Sequence, residues 1–128
     1  MITVIMQQAL DFRKAYNFFN EIKLPLKAAY KLTKIKQAVE KETEYYGEKF
    51  QEIVDTYAKK DENGNLMYNE DGSQILIKDG MIMECNQKLE ELHNLEIGIE
   101  NYNLTIEDLG EGIEVTTEDL DALMPFFS

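Results

Sequence analysis

The sequence predicts an α+β fold, mainly α, with a long helix packed in a helical hairpin or bundle beside a small β-hairpin and short strands. Three observations carry this reading. Apolar residues recur at steps of three and four through most of residues 4–60, the spacing of a buried helix face. Two turn-forming clusters, Asp61–Asn65 and Asn69–Gly72, bracket short apolar runs, the pattern of a hairpin. Two Thr-x-x-Asp segments, Thr105–Asp108 and Thr116–Asp119, place capping side chains and acids where short helices begin.

The first helix is expected from Val4 to Ile22, with Ile5, Ala9, Phe12, Tyr16, Phe19 and Ile22 on one face. Pro25 interrupts it, since proline suits a first helical turn and not a helix interior. A second helix is expected from about Pro25 to Lys60, with the stripe Ala28, Leu32, Ile35, Val39, Tyr46, Phe50, Ile53 and Tyr57. At about 1.5 Å per residue it would be roughly 50 Å long. A domain of this size does not need such a length, so a helical hairpin or an intermolecular coiled coil is expected to cover the stripe.

Leu66-Met67-Tyr68 and Ile75-Leu76-Ile77 flank an Asp-Gly turn and read as the hairpin. A third helix is expected from Met81 to Asn94, with Ile82, Cys85, Leu89 and Leu92 inward. Ile97, Ile99, Tyr102 and Leu104 suggest a strand, paired with Ile113-Glu-Val115. A terminal helix follows Thr116 and stops at Pro125. No internal repeat or low-complexity tract is read.

The 128 residues are expected to form one domain with two chemically different parts. Residues 1–60 carry eleven Lys/Arg against eight Asp/Glu, a balance of +3, and residues 61–128 carry two against seventeen, a balance of −15. Net charge speaks to partners and not to fold. One cysteine, Cys85, precludes an intramolecular disulfide and fits a reducing compartment. No apolar run reaches membrane-spanning length, and residues 1–12 lack the basic start of a secretory signal. Neither a membrane partner nor direct nucleic-acid binding is expected, because a net charge of −12 opposes phosphate approach.

No residue pattern points to catalysis, a metal or a cofactor. Asp61, Asn63 and Asn65 alternate as in an EF-hand loop, yet the positions that need Gly and a bidentate Glu hold Leu66 and Gly72. The segment reads as a polar turn. Cys85 falls on an apolar face, and His93, the single imidazole, falls at a helix end that favours it through the dipole. Gly110-Glu-Gly112 lacks the Lys and the strand–helix setting of a phosphate loop.

Charged residues give the candidate interaction sites. Lys27, Lys31 and Lys34 line one face at the start of the long helix. They read either as a solvated face or as a dock for an acidic surface. Glu107, Asp108, Glu111 and Glu114 fall in expected surface turns. They read either as a solubility device or as an imitation of a phosphate array.

The succession Ile22-Lys-Leu-Pro25-Leu-Lys, Asp61-Glu-Asn-Gly-Asn-Leu, Asn69-Glu-Asp-Gly, Leu89-Glu-Glu-Leu92, Leu104-Thr-Ile-Glu-Asp-Leu109 and Thr116-Thr-Glu-Asp-Leu-Asp-Ala-Leu123 resembles a family of short phage-encoded acidic proteins of unknown function. The resemblance runs from about Lys23 onward. It implies a bacteriophage origin and a small α+β protein, and it brings no catalytic residues. The expected function is therefore non-enzymatic: a virion component or assembly factor acting by protein–protein contact. The alternative is an anti-defence inhibitor whose acidic C-terminal half occupies a host nucleic-acid-binding protein. The expected partners are phage or host proteins, with a second copy of the chain one candidate. The expected location is the host cytoplasm when made and, for a virion component, the particle.

Overall fold

The computed structural model describes residues 1–127. A strand, β1 (Ile2–Ile5), runs directly into helix α1 (Met6–Glu21). The helical spacing assigns Val4 and Ile5 to the first helix, but the β-branched run Ile2-Thr3-Val4-Ile5 favours extended backbone. Helices α2 (Leu26–Tyr57) and α3 (Ile82–His93), strand β2 (Glu96–Ile99) and helix α4 (Thr117–Leu123) follow. The result is a mixed α+β fold dominated by helices, with a two-stranded antiparallel sheet. Among the described residues no helix is long and apolar enough to cross a membrane.

The sheet pairs β1 with β2, in register from Ile2 opposite Ile99 to Ile5 opposite Glu96. The expected partner of β2, Ile113–Val115, lies in no strand. Gly110 and Gly112, at φ of 84° and 80°, turn the chain just before it and break any extended run.

By packing, the chain forms two compact units. The first unit comprises residues 1–45 and 94–128. Its core gathers Met6, Ala9, Phe12 and Phe19 of α1, Ala28, Leu32, Ile35 and Val39 of α2, and Ile97 and Ile99 of β2. Leu104, Leu109, Leu123 and Phe126 complete it. Burying the Val, Leu, Ile, Phe and Met side chains among these contributes about 1.5–3 kcal/mol each. Phe126, in a 3-10 turn (Met124–Phe126) after α4, stands against Phe12 with ring centroids 4.8 Å apart. Thr116 caps α4, its Oγ1 accepting from the Asp119 N–H at 3.1 Å.

The second unit is residues 46–93. Tyr57 and Ala58 at the end of α2 are buried there, as are Cys85 and Leu92 of α3. Tyr46 stacks on Phe50. Most of the long-helix stripe is thus covered by the chain itself. Phe50 is the stripe residue left exposed.

The expected hairpin forms as isolated bridges, Tyr68 with Ile75, Lys60 with Leu66 and Ala58 with Ile77. A third segment shares its hydrogen bonds: the Lys59 N–H donates to the Leu76 carbonyl, Leu76 to Met67, and Met67 back to Lys59. This cyclic arrangement leaves no two segments free to build a continuous ladder.

The segment also holds a repeat. Gly64, Gly72 and Gly80 recur every eight residues in Asp61-Glu-Asn-Gly, Asn69-Glu-Asp-Gly and Ile77-Lys-Asp-Gly, with φ of 81°, 73° and 77°. Gly64 and Gly72 close turns that return the chain to the same triangle, and Gly80 turns it out into α3. Asp61 Oδ1 accepts the N–H groups of Asn63 and Asn65, so its carboxylate serves the turn itself.

The lengthwise charge imbalance does not survive folding. The first unit holds eight Lys/Arg against fourteen Asp/Glu, and the second holds five against eleven, so each carries −6. The nine acids of residues 94–128 belong to the same unit as the lysines of residues 1–45.

Candidate interaction surface

Helix α2 opens after Pro25, and its buried stripe fixes which residues face outward. Lys27, Lys31 and Lys34 share a face beside that stripe. Across from them the 103–108 turn runs into a 3-10 turn (Glu107–Leu109). Thr105 and Asp108 cap it reciprocally: Asp108 N–H donates to Thr105 Oγ1 at 3.2 Å, and Thr105 N–H donates to Asp108 Oδ2 at 3.0 Å. The Thr-x-x-Asp spacing legible in the sequence is the cause.

The structure brings the basic and acidic candidates together. Lys31 Nζ donates to Asp108 Oδ2 and to the Asn103 carbonyl, each at 2.7 Å. The Lys31 and Asp108 side chains retain only 14% and 10% of their exposure. Lys27 Nζ stands 3.9 Å from Asp108 Oδ1 and is largely solvated. Lys34 lies over the Tyr30 ring at 5.7 Å. The hydrogen bond from Lys31, then those from Thr105, hold the Asp108 carboxyl at about 2, below its ordinary 3.8. Glu107, Glu111 and Glu114 are exposed, with no ion-pair partner among the described residues. Asp108 departs from the expectation of a surface turn, because a two-way cap and a lysine enclose it.

Gly110 ends the 3-10 turn at φ 84° and ψ −174° and passes close to Pro25. A Cβ there would lie 3.2 Å from Pro25 Cγ. The close approach seats the acidic turn against the start of α2.

Around this clasp stand apolar side chains that no core position requires. Leu26 is 87% exposed, Tyr30 60% and Ile106 61%. Reading the charged residues alone misses all three. The signal was available, since Leu26 and Tyr30 fall off the Ala28–Leu32–Ile35–Val39 stripe. Apolar groups set on a pinned scaffold and rimmed by charges suit contact with another macromolecule.

The residues weighed for chemistry lie in the second unit. Cys85 is buried, and burial pushes its thiol up, which disfavours the nucleophilic thiolate. His93 Nε2 sits 3.1 Å from Tyr46 Oη, and burial pushes the Tyr46 hydroxyl up. Among the described residues no group of three or more His, Cys, Asp or Glu is placed to hold a metal ion.

Compared with known proteins, the chain matches no family model, no curated protein and no solved structure.

Proposed function

We propose that this is a non-enzymatic phage protein that acts by protein–protein contact, as a virion component or assembly factor. The observation that carries the contact reading is the exposure of Leu26, Tyr30 and Ile106 around the Lys31–Asp108 clasp. The viral setting rests on the resemblance read in the sequence. Pairing of the second half of α2 with α3 as a helical hairpin belongs to this reading. It is supported by Tyr46 Oη meeting His93 Nε2 and by the burial of Tyr57 of α2 and of Cys85 and Leu92 of α3 in the same unit.

Mass spectrometry of virions and of assembly intermediates, from the phage that encodes the chain, tests the proposal. The protein is expected in one or both, and Leu26→Asp with Ile106→Asp is expected to deplete it there while leaving it folded. Absence from both contradicts the proposal, as does full incorporation of the variant.

One observation favours the alternative, inhibition of a host nucleic-acid-binding protein. Asp11, Glu118, Asp119 and Asp121 line a groove of about 520 Å³ between α1 and α4, with Lys14 the one lysine among its lining residues. A field of this sign steers basic partners. Binding lost on reversing these acids, with virions unaffected, would support that reading over the first.

A further inference from the structure

The two-stranded sheet has two outer edges, and they differ in what stands beside them. The Met6 N–H donates to the Leu95 carbonyl at 2.9 Å, which fixes the hydrogen-bonding phase of the pair. With the observed register, Val4–Ile97 and Ile2–Ile99 exchange bonds, so Thr3, Ile5, Glu96 and Gly98 aim their N–H and C=O groups outward. On β1 the outward Ile5 N–H is taken by Gln8 Oε1 at 2.9 Å. On β2 the outward groups of Glu96 and Gly98 have no backbone partner among the described residues. Beside Gly98 and Glu100 runs a groove of about 560 Å³, walled by α2 residues that include Gln37, Ala38 and Lys41.

We propose that β2 accepts an extended basic segment of a partner protein as a third strand. A free strand edge is a template for main-chain pairing, and alternate side chains then set the choice of partner. Here those side chains are acids. Glu96 and Glu100 flank Gly98 at two-residue spacing, so a strand with Lys or Arg at alternate positions meets both. The α2 wall adds Glu40, Glu42 and Glu44 against Lys34 and Lys41. A second copy of β2 is disfavoured by the same residues. Antiparallel pairing centred on Gly98 would set Glu96 opposite Glu100, and like charges directly opposite destabilise a sheet.

The inference rests on the reading of the protein as a binding module but uses a different face, so Leu26→Asp with Ile106→Asp should leave it intact. The probe is a capped heptapeptide of alternating Lys and Val, titrated into the full chain with amide hydrogen exchange as readout. Binding should slow exchange at Glu96 and Gly98. N-methylation of alternate peptide residues in one phase should weaken binding about tenfold or more, and in the other phase should leave it unchanged, because only one phase donates to the edge. Glu96→Gln with Glu100→Gln should weaken binding, and a Glu/Val peptide should not bind. Equal effects of the two N-methylation phases would overturn the proposal, leaving charge attraction alone. So would unchanged exchange at Gly98, or equal binding of the acidic peptide. Loss of peptide binding in the Leu26/Ile106 variant would overturn the separation of the two faces.

Discussion

Lys31 Nζ donates to Asp108 Oδ2 at 2.7 Å, closing a contact between residues 77 apart in the chain. The pair ties the start of α2 to the acidic C-terminal segment. It makes one surface of groups that would otherwise be two, and it leaves Lys27 as the largely solvated cation beside a neutralised carboxylate. Of the acidic candidates in this segment, Glu107, Glu111 and Glu114 stay exposed.

The pair has a pH signature. Asp108 titrates lower in the folded state than its ordinary 3.8, at about 2, so between these values the unfolded chain binds more protons. Its contribution to stability is therefore present above 3.8, shrinks as pH falls below it, and is lost as pH falls through about 2. Asp108→Asn should lower the melting temperature at pH 7 and flatten the fall between pH 4 and 2 expected of the wild type. A variant that loses stability on acidification as steeply as the wild type would mean other carboxylates carry the effect.

Phe126→Ala should be among the most damaging single changes. The ring is fully buried against Phe12, and truncations of this kind cost about 3–5 kcal/mol. Against a total stability of about 5–15 kcal/mol, that is a large share. Urea unfolding should show a lower midpoint at an unchanged slope.

Thr116→Ala should cost about 1 kcal/mol, because the Asp119 N–H loses its acceptor at the start of α4. Thr116→Ser should restore most of it. Equal stability of the Ala and Ser variants would show that the cap contributes nothing.

Gly110→Ala should cost about 1–3 kcal/mol, since φ 84° with ψ −174° is a region essentially reserved for glycine. Contact of the new methyl with Pro25 adds to that. Loosening this approach should also weaken the Lys31 contact, so the acid limb between pH 4 and 2 should flatten in this variant as well.

Much of the fold is legible locally. Pro25 marks the start of α2, Thr116 the start of α4, and the stripe Ala28–Leu32–Ile35–Val39 is buried throughout. What is not legible depends on distant partners. Ile2–Ile5 is a strand because Glu96–Ile99 lies beside it, and four residues of ambiguous spacing cannot announce a mate that far along the chain. The eight-residue repeat of Gly64, Gly72 and Gly80 was open to view, but the triangle of bonds it builds was not. At the site, the Thr105–Asp108 cap follows from its spacing, whereas the meeting of Lys31 with Asp108 required the folded chain. The charge count alone suggested two opposed surfaces. Folding placed the acidic tail with the basic start.

The most direct measurement is a double-mutant cycle on that contact. Melting at pH 7 and low salt would compare the wild type with Lys31→Met, Asp108→Asn and both together. Each single change should destabilise, and the double variant should lose clearly less than the sum of the two, because removing one partner already strands the other. Strictly additive losses would contradict the clasp, and with it the single composite surface on which the proposed function rests.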